Sequence, residues 1–145
     1  KIYKKYHCSI IAIEEIPFTQ VEKYGIISGD LIDGTNNTYR VTDMLEKPKS
    51  NDLKDFVKNT VNPNKEPNFM AIAGRYILTP DIFDILRKIK PGKNGEIQIT
   101  DALKTQAKSG KVIALKYKGN RFDCGSIEGY VKATISLAKQ RNIIQ

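Results

Sequence analysis

The sequence predicts an α/β fold, because strand-like and helix-like segments alternate through its second half. In the first half, two strand-like runs separated by a turn-rich stretch predict an antiparallel hairpin. The chain has 145 residues, of which 40% are hydrophobic, so it is long enough to bury one core.

Three strands are predicted in the first half of the chain. Residues 9–13 form a short, β-branched run that suits a buried strand, and Pro17 closes it. Residues 24–28 predict a second strand, in which Gly25 indicates either a simple bulge or the close approach of a ligand. Residues 39–45 alternate loosely and predict the hairpin partner of that strand.

The middle of the chain predicts a polar excursion, a strand and a helix. Residues 50–67 are polar and have room for a short helix near 52–58. Residues 69–78 predict a buried strand. The sequence Thr79-Pro80-Asp81 then predicts a helix start, with a hydroxyl N-cap, a proline at the first helical position and an acidic first turn.

The last third predicts two helices around one strand. The first helix is expected to end near Ser109, with Gly110 as the residue that follows its C-cap. Residues 111–118 predict the next strand. Ser126 is then expected to cap the final helix.

Composition excludes some classes of function. The net charge is +8, but the lysines are scattered, with no long basic run and no aromatic platform for nucleic acid. No apolar run of roughly 18 residues predicts a membrane span. The only two cysteines, Cys8 and Cys124, are far apart in the sequence. This fits a reducing cytoplasm better than a disulfide-rich protein, and it offers no spacing typical of metal ligands. The chain starts without Met or an export signal, so we expect an internal start within a longer protein.

Two neighbouring charges at a predicted strand end form the first candidate site. Glu46 and Lys47 stand directly before Pro48, which ends the strand. Ligands of α/β proteins usually meet the carboxyl ends of strands. A glutamate accepts hydrogen bonds from sugar hydroxyls, and a lysine is a compact counter-charge for phosphate. The alternative is a solvated ion pair.

Asp123 is the second candidate, since it lies between a strand and a helix N-terminus, with Gly125 nearby. Its carboxylate suits Mg²⁺, which prefers oxygen ligands, and the alternative is that it only caps the helix. The sequence has no Gly-rich phosphate loop, and its single histidine, His7, is expected at the surface.

Five segments follow one another in order over nearly the whole chain: Lys23-Tyr24-Gly25-Ile26, Glu46-Lys47-Pro48, Ala73-Gly74-Arg75-Tyr76-Ile77-Leu78, Gly95-Glu96-Ile97-Gln98-Ile99-Thr100-Asp101-Ala102 and Asp123-Cys124-Gly125. Together they resemble the C-terminal half of the bacterial UTP–glucose-1-phosphate uridylyltransferases, also called UDP-glucose pyrophosphorylases. The resemblance implies a Rossmann-like sugar-nucleotide transferase fold with a mixed, mainly parallel sheet. It implies that residues 1–145 form a single partial domain, without the N-terminal nucleotide-binding half.

The resemblance also assigns expected roles to site residues. Gly25 would offer its backbone to the glucose, with Tyr24 beside it. Glu46 would hold the sugar hydroxyls, and Lys47 would bind the sugar phosphate and act in catalysis. Ile72 would form the floor of the sugar pocket.

For cofactor and reaction, the resemblance implies that Asp123 is one of two aspartates on Mg²⁺. The expected reaction joins UTP and glucose 1-phosphate into UDP-glucose and pyrophosphate, in the cytoplasm and in a homo-oligomer. The isolated chain is expected to be inactive. The alternatives are another sugar-1-phosphate nucleotidyltransferase, such as a thymidylyltransferase, and a catalytically silent binding module.

Overall fold

The computed structural model describes residues 1–53, 56, 68–92 and 95–145. Two short 3₁₀ helices accompany the main elements, at Phe18–Lys23 and Ser50–Leu53. In chain order, the helices and strands are α1 (Ile2–Tyr6), β1 (Ser9–Pro17), β2 (Gly25–Leu31), β3 (Thr38–Glu46), β4 (Asn68–Ile77), α2 (Ile82–Leu86), α3 (Ile99–Lys108), β5 (Val112–Lys116) and α4 (Ile127–Gln140).

The five described strands pair in a closed ring in the order β1–β4–β2–β3–β5. The sheet is mixed, as predicted, but the expectation that it is mainly parallel is wrong. Within the described residues, only the pairing of β1 with β5 is parallel, and the other four pairings are antiparallel. The reason is that β2 and β3 form a hairpin and β4 then runs antiparallel to both β1 and β2, so a helical crossover precedes only β5.

The predicted hairpin is confirmed, although its bulge lies elsewhere than expected. Gly25 pairs regularly with Glu46, and the irregularity lies between the pairs Ser28–Asp43 and Gly29–Val41, where β3 has one extra residue. A Cβ atom on Gly29 would lie 2.5 Å from the carbonyl oxygen of Arg40, so only glycine fits this close approach of two backbones.

The first strand is longer than its sequence pattern predicted. Pro17 was expected to close a strand of residues 9–13, but β1 continues through Glu14 and Glu15 to Pro17. The extension is stabilised because Ile16, which is buried, pairs with the buried Phe69 of β4.

The helix predicted after β4 begins differently from its sequence pattern. Helix α2 has five residues, and its N-cap is Asp81, whose side chain accepts no capping hydrogen bond. Thr79 was expected to be the cap. Its hydroxyl instead lies 3.1 Å from Ser9 Oγ and accepts a 3.0 Å hydrogen bond from Gln106 Nε2. The Thr79 hydroxyl is therefore paired with buried polar side chains, and it does not cap the N-terminus of α2.

The last third of the chain agrees with its sequence pattern. Gly110 follows α3 with a φ of 69°, the left-handed conformation expected after a helix. Ser126 caps α4 by accepting a hydrogen bond from the Gly129 backbone. Most of α4 is exposed, including Ile127 and Tyr130. None of the described helices is long and apolar enough to cross a lipid bilayer.

The helix predicted near residues 52–58 is described only at its start. The 3₁₀ helix Ser50–Leu53 covers its first residues, and the remainder lies almost wholly outside the described residues. Leu53 is buried in a small apolar cluster with Val21, Ile26 and Phe69.

The larger core cluster lies between the strands and the helices α2 and α3. Its buried members are Ile11, Ile13, Ile27, Val41, Met44, Ile72, Ile82, Ala102, Leu103, Ala107, Val112 and Ala114. At its edge, a buried polar network joins β1 to α3, because Ser9 Oγ donates a 2.8 Å hydrogen bond to Gln106 Oε1. Both side chains are buried, so these hydrogen bonds are costly to lose.

We therefore expect Gln106→Leu to lower the free energy of unfolding by about 1–3 kcal/mol, since it leaves the hydroxyls of Ser9 and Thr79 without their amide partner. Urea denaturation followed by circular dichroism measures this loss. Gln140→Leu, at the exposed end of α4, is the matched control and should change the value by less than about 0.5 kcal/mol. Equal losses in the two variants would contradict a stabilising role for the network.

Candidate functional site

Four of the predicted site residues meet at one end of the β2–β3 hairpin. Gly25 pairs with Glu46, and the Lys47 backbone N–H donates a 3.2 Å hydrogen bond to the carbonyl oxygen of Tyr24. The two strand ends are thereby held side by side. The hairpin register thus brings together two pairs of residues that are about 20 positions apart in the sequence.

Three side chains pack closely around the buried Gly25. A Cβ atom on Gly25 would lie 2.9 Å from Glu46 Oε2, 3.0 Å from Ile72 Cδ1 and 3.6 Å from Thr100 Oγ1. Strands β3 and β4 and helix α3 therefore each place one side chain against this end of β2. Even a methyl group on Gly25 would overlap two of these atoms, so glycine is what allows Glu46 and Ile72 to come this close to the backbone.

Thr100 fixes the position of the Glu46 carboxylate. Its hydroxyl donates a 2.6 Å hydrogen bond to Glu46 Oε2. One helical turn later, Lys104 Nζ lies 2.7 Å from Asp43 Oδ1 and donates a 3.2 Å hydrogen bond to the carbonyl oxygen of Met44. Residues four apart lie on the same face of a helix, so this face of α3 runs along β3.

Thr100 has no role among the sequence-based site predictions. The sequence carried one usable signal, namely that Thr100 belongs to the Gly95–Ala102 segment. Its partner Glu46 lies more than 50 positions earlier in the chain. The pairing depends on the packing of α3 against β3, which no local pattern reports.

Tyr76 is a second residue near the carboxylate that sequence reasoning did not single out. Burial of its ring, followed by the negative charge of Glu46, raises the pKa of the Tyr76 phenol. The phenol therefore keeps its proton near neutral pH and presents a neutral hydroxyl. Its place in the Ala73–Leu78 segment was the only sequence signal.

The backbone of Lys47 is left-handed, with a φ of 42°. This conformation costs a non-glycine residue roughly 1–2 kcal/mol, and such strain is concentrated at functional sites. The side chain of Lys47 is exposed, and no ion pair joins it to Glu46, which is bound to Thr100 instead. The alternative of a solvated Glu46–Lys47 ion pair is thus not what the structure has.

Tyr24 packs against an arginine from the far end of the chain. The guanidinium carbon of Arg121 lies 4.8 Å from the centre of the Tyr24 ring, and the Arg121 Nε–H group donates a hydrogen bond to Glu14. The contact brings the segment that follows β5 to the Tyr24 side of the hairpin. Asp123 lies two residues beyond Arg121 in that segment.

The carboxylate of Asp123 is exposed, and its Oδ1 accepts a 3.0 Å hydrogen bond from the Gly125 backbone. Ser126, not Asp123, caps α4, so the helix-cap alternative does not hold. No group of three or more metal-binding side chains is found within the described parts of the chain. Asp123 therefore offers one oxygen-rich ligand position, which suits Mg²⁺ that is also held by water and substrate oxygens.

A carboxylate, a hydroxyl and an apolar side chain are grouped around Gly25. Glu46 supplies acceptor oxygens, Thr100 donates to one of them, and Ile72 lies beside them. Lys47 follows Glu46 in the chain, and its side chain is exposed. Such a set suits a molecule that has neighbouring hydroxyl groups and a negatively charged group.

Sequence comparison identifies the family and its members. The nucleotidyl transferase family profile matches residues 3–140. A UTP–glucose-1-phosphate uridylyltransferase of Pseudomonas aeruginosa is 51% identical over 134 residues, covering 92% of this chain and 43% of that protein. A protein of the same name from Streptococcus pyogenes is 39% identical over 138 residues, covering 94% of this chain and 40% of that protein.

Solved structures give the same result. A UDP-glucose pyrophosphorylase in complex with UDP-glucose superposes with a TM-score of 0.76 and 49% identity, over 96% of this chain and 47% of that one. A UTP-bound enzyme from Acinetobacter baumannii superposes with a TM-score of 0.68 and 26% identity, over 96% and 42%. The chain thus spans less than half the length of the relatives it matches.

A double-mutant cycle tests the contact above Gly25. We expect Gly25→Ala to lower the free energy of unfolding by about 1–3 kcal/mol, because its methyl group would overlap Glu46 Oε2 and Ile72 Cδ1. Ile72→Val removes that Cδ1 atom, so in this background the loss should shrink by at least about 0.5 kcal/mol.

The control for this cycle is Ile16→Val, which shortens a buried side chain in the other core cluster. Its effect should add to that of Gly25→Ala. Equal coupling in both cycles would mean that Gly25 and Ile72 are not in contact. Urea denaturation of the three single and two double variants, together with the unchanged chain, supplies the values.

Proposed function

Because the chain belongs to the nucleotidyl transferase family, we propose that it supplies the sugar-phosphate side of the active site of a UTP–glucose-1-phosphate uridylyltransferase. The reaction joins UTP and glucose 1-phosphate into UDP-glucose and pyrophosphate. The observation that carries the proposal is the convergence of Glu46, Ile72 and Thr100 around Gly25, at the hairpin end that also carries Lys47.

The sugar would be held by the carboxylate of Glu46. A carboxylate has about four acceptor positions, and Thr100 uses one of them, so acceptor positions remain for vicinal hydroxyl groups. Ile72 would contact the apolar face of the sugar ring, and the Gly25 backbone would approach it closely. Tyr76, which stays protonated, is a neutral hydroxyl near the same carboxylate.

The phosphate attached to the sugar would be bound by Lys47. The nucleophile of this reaction is a phosphate oxygen, which is already anionic near neutral pH, so no general base is needed. Catalysis then consists of holding the two phosphates in line and neutralising their charge. The left-handed backbone of Lys47 supports this role, because such strain is concentrated at functional sites.

The donor set fits Mg²⁺ only in part. Asp123 would supply one carboxylate ligand, and the family resemblance implies a second aspartate outside this chain. When bound, the ion supplies charge neutralisation for the phosphates. The contact between Arg121 and Tyr24 supports a position of Asp123 on the sugar side of the site, because only one residue separates it from Arg121.

The nucleotide side of the site has no candidate in this chain. The sequence has no Gly-rich phosphate loop, and the chain spans 43% of its Pseudomonas relative. Binding of UTP and turnover are therefore proposed for a protein that also contains a nucleotide-binding part. A cytoplasmic location and a homo-oligomeric state are parts of the same proposal.

The first test is Lys47→Ala, assayed in the full product of the gene. We expect kcat to fall at least tenfold, which corresponds to about 1.4 kcal/mol of activation free energy, because the phosphate loses its counter-charge. Pyrophosphate release measures the rate. Lys49→Ala, an exposed lysine two positions away, is the control and should leave kcat within about twofold. Unchanged turnover in Lys47→Ala would rule out the catalytic role.

The second test separates the two substrates. Glu46→Asp withdraws the carboxylate from the sugar, and Thr100→Val removes the hydroxyl that positions it, so both should weaken glucose 1-phosphate binding about tenfold while UTP binding changes little. Isothermal titration calorimetry measures both affinities. Thr100→Ser should restore binding, and Glu15→Asp is the control. A loss confined to UTP would remove Glu46 from the sugar site.

A further inference from the structure

A bulge in β4 places an arginine beside a small residue of β1. Ile13 pairs with Ile72 and Ile11 pairs with Tyr76, so the single residue Ala12 stands opposite the three residues 73–75. Gly74, at the centre of the bulge, has a φ of 68°. Bulges of this kind bend a strand and redirect its side chains, and they are frequent next to binding sites.

The bulge borders an open cavity of about 340 Å³. Small side chains from β1 and β4 leave the cavity open, and the segment that follows β5 closes one side of it. The lining residues are Ala12, Ala73, Arg75, Tyr117, Asn120 and Arg121. Glu46 and Thr100 do not line it, so it is separate from the group of side chains around Gly25.

Arg121 is held in a fixed orientation at the cavity wall. Its guanidinium carbon lies over the Tyr24 ring, 4.8 Å from the ring centre, and its Nε–H group donates to Glu14. Burial alone would lower the pKa of the Arg121 guanidinium, but hydrogen bonds with Tyr24 and Glu14 raise it overall, so the group stays charged. Glu14 is in turn fixed by a 3.2 Å hydrogen bond from the Tyr117 hydroxyl.

The cavity has an excess of positive charge and unused donors. Glu14 balances the charge of Arg121, whereas Arg75 has no carboxylate partner in the described residues. The only hydrogen bond of its side chain there goes to the carbonyl oxygen of Gly74, at 3.2 Å. The amide of Asn120 makes no hydrogen bond to any other described residue. The unpaired guanidinium of Arg75 and this amide both border the open volume.

We propose that this cavity binds a phosphate-type oxyanion, with inorganic pyrophosphate as its simplest form. Arg75 would bind phosphate oxygens through the two parallel N–H groups of its guanidinium, a geometry that phosphate matches. Asn120 would donate a further hydrogen bond, and the fixed Arg121 would add its free N–H groups. The inference depends only on the cavity and its charges, and not on the proposed transferase activity.

The test is a titration of the ¹⁵N-labelled chain with sodium pyrophosphate in metal-free buffer, followed by NMR. We expect saturable shifts at the backbone amides of Ala12, Ala73 and Asn120. Arg75→Gln should weaken binding at least about tenfold, because a charged hydrogen-bond partner is lost. Arg87→Gln makes the same change of charge at an exposed arginine paired with Asp84, and it should alter the affinity by less than about twofold.

Two outcomes would overturn the proposal. One is the absence of saturable shifts at the cavity up to about 10 mM pyrophosphate. The other is equal weakening by Arg75→Gln and Arg87→Gln, which would indicate attraction to the overall positive charge. Should Arg75→Gln fail to fold, Asn120→Ala takes its place, with an expected loss of about threefold.

A further arm distinguishes the source of the phosphate. Glucose 1-phosphate is titrated into the Glu46→Asp variant, in which the proposed sugar pocket is weakened. Shifts at Ala73 and Asn120 would show that the cavity accepts phosphate monoesters, whereas shifts with pyrophosphate alone would show that it needs two linked phosphoryl groups. The amide signals of Ala73 and Asn120 report binding in the cavity, and they do not depend on Glu46. Failure of the anion site and failure of the proposed sugar site can therefore be distinguished.

Discussion

The hydrogen bond from Thr100 to Glu46 is the contact on which the candidate pocket depends. It joins the start of α3 to the end of β3, and it holds the carboxylate so close to Gly25 that no larger residue fits there without a shift. A carboxylate in this position with no donor would be free to turn toward Lys47 or toward solvent. Because its partner is fixed, the acceptor oxygens are oriented before any ligand arrives, which reduces the entropic cost of binding.

Helix α3 can hold Thr100 there because polar contacts fix it at both ends. Near its C-terminus, Gln106 bonds to Ser9 and Thr79 in a buried network. One turn after Thr100, Lys104 reaches the end of β3. Apolar packing against the sheet sets the distance of the helix, whereas these directional bonds set its rotation and its shift along the strand. Helix α3 therefore belongs both to the core and to the candidate site.

The sequence predicted most of the elements and the hairpin that carries the site. Residues such as Gly25 and Glu46 could be recognised because their types, and their places at strand ends, carry chemical meaning. The mainly parallel sheet was predicted wrongly, since pairing direction depends on which strands meet. Thr100 and Tyr76 were not singled out, because each matters only through a partner that is distant in the chain. The left-handed backbone of Lys47 likewise follows from the hairpin end, and not from local preference.

The closed order of the strands has a consequence for how the chain folds. The ring is completed by the parallel contact of β1 with β5, and paired residues such as Ser9 and Val112 are about a hundred positions apart. Bringing together residues so far apart in the sequence costs much chain entropy before the contact contributes any stabilising energy. Such contacts therefore form late and slowly. Once the contact has formed, β1 and β5 shield each other's hydrogen-bonding groups, and these two strands no longer present a template for pairing with another molecule.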